Sequence, residues 1–255
     1  MSPIPRRFSV DSLAVEVYPD RQALGSAAAR TVADWLRQEL AKRDRVGTIF
    51  ASAPSQEEFL AALVTEPNVD WSRVVAFHLD EYVGLAPGAP QSFGQFLRQR
   101  LFDKVHPGVV YYLDPLDDPE RACRRYADLL ASQPLVIACI GIGENGHLAF
   151  NDPHVADFTD PYLVKPVEID EVSRAQQVHD GCFPQIDLVP RRALTVTLPA
   201  ILSAERIAIM VPGLTKARAI QMALQGPIAT SCPASILRQH PHAVLFVDES
   251  AVSLL

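Results

Sequence analysis

The arrangement of short apolar runs constrains the fold of this chain more than any other feature of its sequence. Runs rich in β-branched residues, such as VVAF (74–77) and LVIACI (135–140), alternate with stretches that have helical spacing. Continuous apolar runs of this length are typical of strands buried on both faces, as in a parallel sheet. Strands that alternate with helices favour a doubly wound fold with right-handed crossovers. The sequence therefore predicts an α/β fold in which helices flank both faces of a central, mainly parallel sheet.

The same patterns give approximate positions for the elements. A helix is predicted from Asp20, a candidate N-cap, to Leu40, because the apolar positions between them recur at helical spacing. Further helices are predicted at 55–66, 92–104, 118–132, 215–225 and 233–239. Strands are predicted at 13–18, 47–51, 73–79, 109–113, 135–140, 163–169, 193–198, 206–211 and 243–247. Because ligands of such folds bind beyond the carboxyl ends of the strands, the candidate site lies in loops 51–56, 80–92 and 141–153.

Charge and cysteine content narrow the class of protein. The 255 residues include 23 Lys and Arg against 30 Asp and Glu, a formal net charge of −7. This balance argues against a general nucleic-acid-binding protein, whose footprint would be basic. No apolar run approaches the roughly 20 residues that span a bilayer, and the first residues do not resemble a signal peptide. The four scattered cysteines are typical of a reducing compartment. We therefore expect a cytoplasmic protein that binds neither nucleic acid nor membrane.

A glycine-rich segment, GIGENG at 141–146, has the G-x-G-x-x-G spacing of dinucleotide-binding loops. Such a loop needs a helix directly after its third glycine, because the helix N-terminus binds the pyrophosphate. Here HLAFNDP follows, and its Asn-Asp-Pro turn signal at Pro153 argues against a helix. Asp170 does lie at about the distance of a ribose-binding acid. We expect Gly143 and Gly146 to let the backbone approach a ligand other than a dinucleotide.

Polar side chains surround these glycines, namely Asn145, His147, Asn151 and Asp152. An imidazole can accept and return protons near neutral pH. Asp152 could orient the ring of His147 in the manner of a base–orienter pair. On spacing alone, a turn whose polar side chains only satisfy loop backbone explains the pattern equally well.

A second candidate group lies in FHLDEYVGL (77–85), where Asp80 and Glu81 end a predicted strand. A partly buried carboxylate in that position can remove a proton from carbon. A helix cap or a solvated turn is the alternative. His78 and Asp80 share one face of an extended strand and could be two metal ligands, but no third ligand accompanies them at a defined spacing. We therefore predict no metal site.

These two motifs together resemble the glucosamine-6-phosphate deaminase/isomerase family. The resemblance covers most of the chain, through SFGQFLRQRLFDKV (92–105), VPRRALTVTLPAILSA (189–204), VPGLTKARAI (211–220) and PASILRQHP (233–241). It implies a Rossmann-like fold in a single domain over residues 1–255. It also implies that the protein converts glucosamine 6-phosphate and water into fructose 6-phosphate and ammonia, or acts in the same way on a related amino sugar. No metal or redox cofactor would be needed.

The resemblance also implies roles for single residues. His147 would open the sugar ring by proton transfer at the ring oxygen, and Asp80 would move a proton from C2 to C1. Asp152 stands where the family more often has Glu, so its contact with His147 is expected to need a water. Asn145, where the family has Asn or Asp, can hydrogen-bond to the histidine but cannot share charge with it. Glu81 is expected to have a supporting role.

The sequence departs from the family at the loop that holds the sugar phosphate. The family loop resembles T-G-S/G-T/S-P, whereas ASAPSQEEF (51–59) contains no glycine, and Pro54 has no N–H to give. Ser55 and Glu58 have the spacing of a capping box. Glu57 and Glu58 also place negative charge at a helix N-terminus that would otherwise attract phosphate. We expect this helix end to be satisfied by its own side chains.

Four residues remain as candidate ligands of the substrate phosphate. Ser52 and Ser55 keep hydroxyl groups in the altered loop. Lys216 matches a phosphate-binding lysine of the family, although a solvated residue in the first turn of a helix is the alternative. A phosphate-binding arginine of the family has no match at its usual spacing, and Arg174 could substitute for it.

Two other functions stay open at this level. One is lactone hydrolysis, since 6-phosphogluconolactonases share the superfamily. The other is a sugar-sensing domain without catalysis, although such a domain would not need Asp80, His147 or a carboxylate at 152. The identity of the amino sugar, its need for a phosphate and a homo-oligomeric state are left open, and no allosteric control is predicted.

Overall fold

An eight-stranded sheet lies at the centre of the computed structural model, which describes residues 5–115 and 118–255. Within these ranges the strands are β1 (Arg6–Val10), β2 (Leu13–Tyr18), β3 (Val46–Phe50), β4 (Val74–His78), β5 (Asp80–Tyr82), β6 (Val109–Tyr111), β7 (Leu135–Ile140), β8 (Val164–Glu168), β9 (Arg192–Val196), β10 (Arg206–Val211) and β11 (Ala243–Asp248). The central sheet has the order β1-β2-β11-β10-β7-β3-β4-β6. Its strand pairs are parallel except for β1 with β2.

Helices cover both faces of this sheet. In the same ranges they are α1 (Arg21–Leu40), α2 (Glu57–Val64), α3 (Phe93–Leu97), α4 (Asp103–Val105), α5 (Pro119–Ser132), α6 (Glu171–His179), α7 (Leu198–Leu202) and α8 (Ala217–Gln225). A π-helical turn, Arg98–Phe102, joins α3 to α4. Shorter 3-10 segments occupy Pro54–Gln56, Trp71–Arg73, Ile186–Leu188, Leu214–Lys216 and Pro233–Gln239. None of the described helices is long and apolar enough to cross a membrane.

The core forms two main apolar layers, one on each face of the sheet. Helices α1 and α2 pack on one face, where Leu36 and Phe59 are buried with Phe50 of β3. Helices α5 and α8 pack on the other face, where their apolar residues are buried against Ile140 of β7. Burial of each such side chain contributes about 1.5–3 kcal/mol. The two layers confirm the predicted α/β fold with helices on both faces.

Helix α1 begins where the sequence predicts. The side chain of Asp20 accepts a hydrogen bond from the backbone N–H of Ala23 at 2.8 Å, which is the contact expected of an N-cap residue. The helix ends at Leu40, the last of the predicted apolar positions.

Several elements differ from the prediction. Strands β8 and β9, predicted as part of the alternating pattern, lie instead in a separate antiparallel sheet of order β5-β9-β8, in which β9 pairs with both β5 and β8. A short apolar run does not reveal which sheet it joins, and Pro166 is tolerated because β8 is an edge strand. Strands β1 and β5 and helices α6 and α7 were not predicted. In α6 the buried residues include Ser173, Arg174 and Gln177, so an apolar periodicity is missing there.

The sheet order brings four strand ends together. Strands β10, β7, β3 and β4 are neighbours and run parallel, so their carboxyl ends meet at one edge. The loop 51–56 follows β3, Asp80 follows β4, the loop 141–153 follows β7, and Lys216 follows β10. This edge is where ligands bind in open parallel sheets.

Candidate active site

A cleft lies at this edge, between the segment after β3 and the segment after β7. Six predicted site residues line it: Ser52, Ser55, Asp80, Gly143, His147 and Lys216. The other predicted site residues lie outside its lining: Glu81, Asn145, Gly146, Asp152 and Arg174. Residues far apart in the sequence therefore share one site, because the parallel strands carry them to the same edge.

The glycine loop holds the catalytic candidate His147 in place. A Cβ atom at Gly143 would lie 2.1–2.4 Å from three atoms of the His147 ring, so the ring can lie against the backbone only because residue 143 has no side chain. Gly146 has a φ of +84°, which glycine adopts without strain. A Cβ atom there would also lie 2.7 Å from Sγ of Cys232. Both glycines shape the loop around the histidine.

No helix follows the third glycine of this loop. Residues 147–155 form turns with one isolated bridge between Leu148 and Asn151, and the next helix, α6, begins only at Glu171. Asp170 caps that helix by accepting the N–H of Val172 at 2.7 Å. The loop therefore lacks the helix N-terminus that a pyrophosphate needs, as the sequence predicts.

Hydrogen bonds determine which nitrogen of His147 carries the proton when the ring is neutral. Nδ2 of Asn145 donates to Oδ1 of Asp152 at 3.0 Å, so the amide oxygen of Asn145 faces the histidine. This oxygen lies 2.8 Å from Nδ1 of His147 and can only accept. Nδ1 must therefore carry the proton. Nε2 of the neutral ring then has a free lone pair and can accept a proton.

Ser173 completes the group behind His147 and was not among the predicted site residues. Its Oγ lies 2.8 Å from Nδ1 of His147 and donates a short hydrogen bond to Oδ1 of Asp152. Because Nδ1 carries the proton, the serine oxygen accepts a hydrogen bond from the ring, and the serine hydroxyl donates its own hydrogen bond to the carboxylate of Asp152. Ser173 lies on α6, 21 residues beyond Asp152, and no motif marks it.

Asp152 contacts His147 without the water that the sequence analysis expects. Its Oδ1 lies 3.2 Å from Nδ1 of His147, and Ser173 provides a second connection. Oδ2 accepts the backbone N–H of Asp170 at 2.9 Å. Burial alone would raise the pKa of Asp152, but hydrogen bonding and charge from His147, with hydrogen bonds from Asn145 and Ser173, hold it well below its usual range. The carboxylate therefore stays ionised behind the ring.

Asp80 lies in the same cleft as His147. It begins β5, pairs with Thr195 of β9 and is only 7% exposed. Burial, and then the charge of Glu81, raise the pKa of Asp80 well above its ordinary value. A carboxylate with a raised pKa is a stronger base than an exposed one, and this suits it to remove a proton from carbon.

Glu81 lies on the other side of β5 from Asp80 and has a supporting position. Its carboxylate accepts the hydroxyl of Ser92 at 2.6 Å and the N–H of Gly94 at 3.0 Å. It also accepts the N–H groups of Tyr82 and Phe93. Glu81 lines a neighbouring cavity of about 240 Å³ instead of the cleft. The structure thus places Glu81 where it anchors the start of α3, not where it would contact a ligand in the cleft.

His78 lines a neighbouring cavity whereas Asp80 lines the cleft, so the two side chains do not form a metal pair. Its Nδ1 accepts the N–H of Leu113 at 3.2 Å, and the ring lines the neighbouring cavity with Glu81. Burial lowers the pKa of His78 to about 3, so the ring is neutral. Among residues 5–115 and 118–255, no group of three or more His, Cys, Asp or Glu side chains could hold a metal ion.

Lys216 supplies the positive charge of the cleft. It is only 5% exposed, which rules out a solvated lysine in a first helical turn. Burial lowers its pKa, while the charges of Asp180 and Glu144 act in the opposite direction. A buried ammonium group that lines a cleft is a favourable partner for an anionic ligand group.

The prediction of a capping box at 55–58 is wrong. No side chain caps the 3-10 turn Pro54–Gln56 or α2. Instead Glu58 pairs with Arg21 at 2.6 Å, and Glu57 pairs with Arg100 at 2.7 Å. These ion pairs reduce the repulsion that the two carboxylates would exert on an anion. The arginines are distant in sequence, so the local pattern does not reveal the pairing.

Arg174 does not reach the cleft. Its guanidinium donates to the carbonyl oxygens of Ile186 and Val189 and pairs with Glu171. Arg174 therefore holds the segment after α6, and the structure corrects its predicted role as a phosphate ligand.

Comparisons with known proteins identify the family of this chain. Residues 19–246 match the model of the family described as glucosamine-6-phosphate isomerases/6-phosphogluconolactonase. A glucosamine-6-phosphate deaminase of Arthrobacter sp. is 34% identical over 94% of this chain and 92% of its own length. The corresponding protein of Halothermothrix orenii is 35% identical over 86% of this chain and 91% of its own length.

Solved structures give the same result. One described as a monomeric glucosamine-6-phosphate deaminase is 30% identical, with a TM-score of 0.86 over 94% of this chain and 99% of its own. A 6-phosphogluconolactonase of Thermotoga maritima is only 18% identical, with a TM-score of 0.76 over 93% of this chain and 100% of its own, and shares the fold. The chain therefore belongs to the glucosamine-6-phosphate isomerase/6-phosphogluconolactonase family.

Proposed function

We propose that this protein converts an amino sugar 6-phosphate, with glucosamine 6-phosphate as the first candidate, into the ketose phosphate and ammonia. The observation that carries the proposal is the shared cleft of Asp80 and His147, which offers a buried carboxylate and an imidazole with a free Nε2. The deaminases at 34–35% identity support the same reaction.

The two groups divide the chemistry between them. Nε2 of His147 takes the proton of the C1 hydroxyl and gives a proton to the ring oxygen as the bond between C1 and that oxygen breaks. Asp80 then removes the proton from C2 while the ammonium group on C2 gives a proton to the C1 oxygen, which leaves an enol amine. The same carboxyl group returns a proton to C1 and so produces an imine at C2. Water adds to this imine, and the product is a ketone at C2 with release of ammonia.

Asp152, Asn145 and Ser173 act through His147. The ionised Asp152 stabilises the imidazolium that forms when His147 accepts a proton. Asn145 and Ser173 hold the ring in the tautomer that presents Nε2 to the substrate. This resembles the arrangement in which a buried carboxylate orients a catalytic histidine, with a serine hydroxyl interposed.

The phosphate of the substrate binds at the Lys216 end of the cleft. Lys216 offers a buried positive charge, and Ser55 offers a hydroxyl in the same cleft. The hydroxyl of Ser52 donates its only proton in a hydrogen bond to the carbonyl oxygen of Phe93 at 3.1 Å, so it is a poor donor to phosphate. The four free cysteines are compatible with a cytoplasmic location.

The test compares two substrates of different reaction classes. Purified protein is incubated with glucosamine 6-phosphate, and ammonium and fructose 6-phosphate are measured in parallel. The proposal predicts equal amounts of both products and little hydrolysis of 6-phosphogluconolactone. Lactone hydrolysis without ammonium release would assign the protein to the lactonase branch. Binding without turnover of amino sugar phosphates would indicate a sensor.

A further inference from the structure

The small antiparallel sheet carries Asp80, the proposed base, on its edge strand β5. Asp80 lies directly opposite Thr195 of β9, and Thr195 lies directly opposite Lys165 of β8. Residues that face each other across antiparallel strands have their side chains on the same face of the sheet. The three side chains therefore form a row, with the base at one end. Thr195 and Lys165 take part in none of the proton transfers proposed for the reaction.

Thr195 connects this row to the loop of His147. The backbone N–H of Phe150 donates to its Oγ1 at 3.1 Å, and the side-chain amide of Asn151 donates to the same oxygen at 3.4 Å. Thr195 is completely buried, so it acts on this loop and not on a ligand. Its hydroxyl thus joins β9 to the turn that follows the histidine.

Lys165 holds the same loop a few residues further on. Its Nζ donates to the carbonyl oxygen of Val155 at 2.7 Å and pairs with Asp160 at 2.6 Å. Val155 follows Asp152 in the loop, whereas the contacts of Thr195 precede Asp152. The two neighbours of the base in the row therefore attach the loop on both sides of the carboxylate that supports the histidine.

The turn between His147 and Asp152 has a backbone conformation that needs support. Ala149 has a φ of +51°, in the left-handed region that residues other than glycine seldom adopt. Its neighbours Leu148 and Asn151 form an isolated bridge. Nδ2 of Asn151 also donates to the carbonyl oxygen of Val196 at 2.8 Å. Since such a conformation persists only when surrounding contacts hold it, the contacts with β9 maintain the shape of this turn.

The proposed reaction requires Asp80 and His147 to act on one bound sugar. The histidine transfers protons at the C1 hydroxyl and the ring oxygen, and the carboxylate transfers a proton between C2 and C1. The sugar therefore sets the spacing that the two groups must have, and a displacement of about 1 Å can cost about 100-fold in rate.

We propose that Thr195 and Lys165 are positioning residues that hold His147 at a fixed place relative to Asp80. The small sheet is then a common support for both groups, because one row of its side chains supplies the base and the two attachments of the histidine loop. This inference rests on the proposed function, since it assumes that both groups act on an amino sugar phosphate.

The experiment removes the hydroxyl of Thr195 while keeping the shape of the side chain. In Thr195→Val we expect kcat for ammonium release from glucosamine 6-phosphate to fall about 10- to 100-fold. Inhibition by inorganic phosphate, which reports on the Lys216 end of the cleft, should not change. Thr195→Ser keeps the hydroxyl and loses a buried methyl group, so its kcat should stay near that of wild type although its Tm falls. A merely structural role would make kcat follow Tm in both variants.

Two further variants complete the comparison. Thr48→Val is the matched control, because Thr48 is buried in β3 outside the cleft lining and its hydroxyl has no partner among residues 5–115 and 118–255. Its kcat should equal that of wild type. Lys165→Met tests the second attachment. Its kcat should fall about tenfold, less than in Thr195→Val, because water can bind the freed carbonyl oxygen of the half-buried Val155.

The outcomes separate this inference from the proposed function. Wild-type protein that releases no ammonium would refute the proposed function. With active wild-type protein, a folded Thr195→Val variant of unchanged kcat would overturn the inference while the function stands. A Thr195→Ser variant as slow as Thr195→Val would do the same. If Thr195→Val does not fold, Lys165→Met decides the matter, and a wild-type kcat in that variant would overturn the inference.

Discussion

Oδ1 of Asn145 lies 2.8 Å from Nδ1 of His147, and this contact fixes which ring nitrogen faces the cleft. The amide of Asn145 cannot rotate freely, because its Nδ2 donates to Asp152 at 3.0 Å. The backbone N–H of His147 donates to the same amide oxygen at 3.0 Å. A neutral side chain thus sets the proton position of the histidine, while the charge behind the ring comes from Asp152.

Removal of this acceptor should allow the wrong tautomer. In Asn145→Leu we expect Nδ1 to lose one of its two acceptors at 2.8 Å, the other being Ser173, and kcat to fall about 10- to 100-fold, since part of the neutral histidine then carries its proton on Nε2. Asn145→Asp keeps an acceptor at this position and should keep the tautomer. Nitrogen-15 NMR of the imidazole distinguishes the two forms directly. An unchanged tautomer in Asn145→Leu would contradict the role of Asn145 and show that Ser173 and Asp152 hold the proton on Nδ1 without it.

Gly143 should be sensitive to the smallest side chain. Gly143→Ala places a methyl group where the ring of His147 lies, 2.1–2.4 Å from its atoms, so the ring must move and kcat should fall at least 100-fold. The effect should act only through the histidine. We therefore expect the double variant Gly143→Ala/His147→Ala to be no slower than His147→Ala alone. A further large loss in the double variant would show that Gly143 has another role.

The raised pKa of Asp80 has a consequence for stability. Its folded-state pKa lies above the unfolded value of about 3.9, so the unfolded state gives up its proton first as pH rises. The folded state is then destabilised progressively from about pH 4 up through the folded-state pKa. Asp80→Asn removes this ionisation. We expect its Tm to exceed that of wild type at pH 8 and the difference to shrink towards pH 4.

Calorimetry at several pH values measures this effect, and Asp128→Asn, at an exposed position of α5, is the matched control. That control should not show the same gain at high pH. A Tm of Asp80→Asn equal to or below that of wild type at pH 8 would contradict a buried, destabilising carboxylate at position 80.

Lys216 should contribute to binding more than to chemistry. In Lys216→Met we expect KM for glucosamine 6-phosphate to rise about 10- to 100-fold with little change in kcat, because a charge contact to the phosphate is made equally in the ground and transition states. Inhibition by inorganic phosphate should weaken in parallel. Lys104→Met, at an exposed position of α4, is the control and should leave both constants unchanged. A fall in kcat alone would place Lys216 near the reacting carbons instead.

The sequence predicts the parts of this molecule that depend on local patterns. Alternating apolar runs predict the central sheet, and the position of Asp80 and His147 after two of its strands predicts that they lie together. Contacts between distant segments are not visible in such patterns. Ser173 lies in a helix with polar buried residues and carries no motif, although it contacts both His147 and Asp152. Likewise, Glu58 hydrogen-bonds to Arg21, which is 37 residues away in the sequence, and does not form the expected capping box.

The central claim, that Asp80 is the base of an amino-sugar phosphate deaminase, is tested most directly by one comparison. Ammonium and fructose 6-phosphate are measured over time from glucosamine 6-phosphate with wild-type protein and with Asp80→Asn, whose folding is checked by its thermal transition. We predict equimolar products with wild type and a rate at least about 10³-fold lower with Asp80→Asn, since an amide cannot take the proton from C2. A folded Asp80→Asn variant that releases ammonium at the wild-type rate would contradict the account.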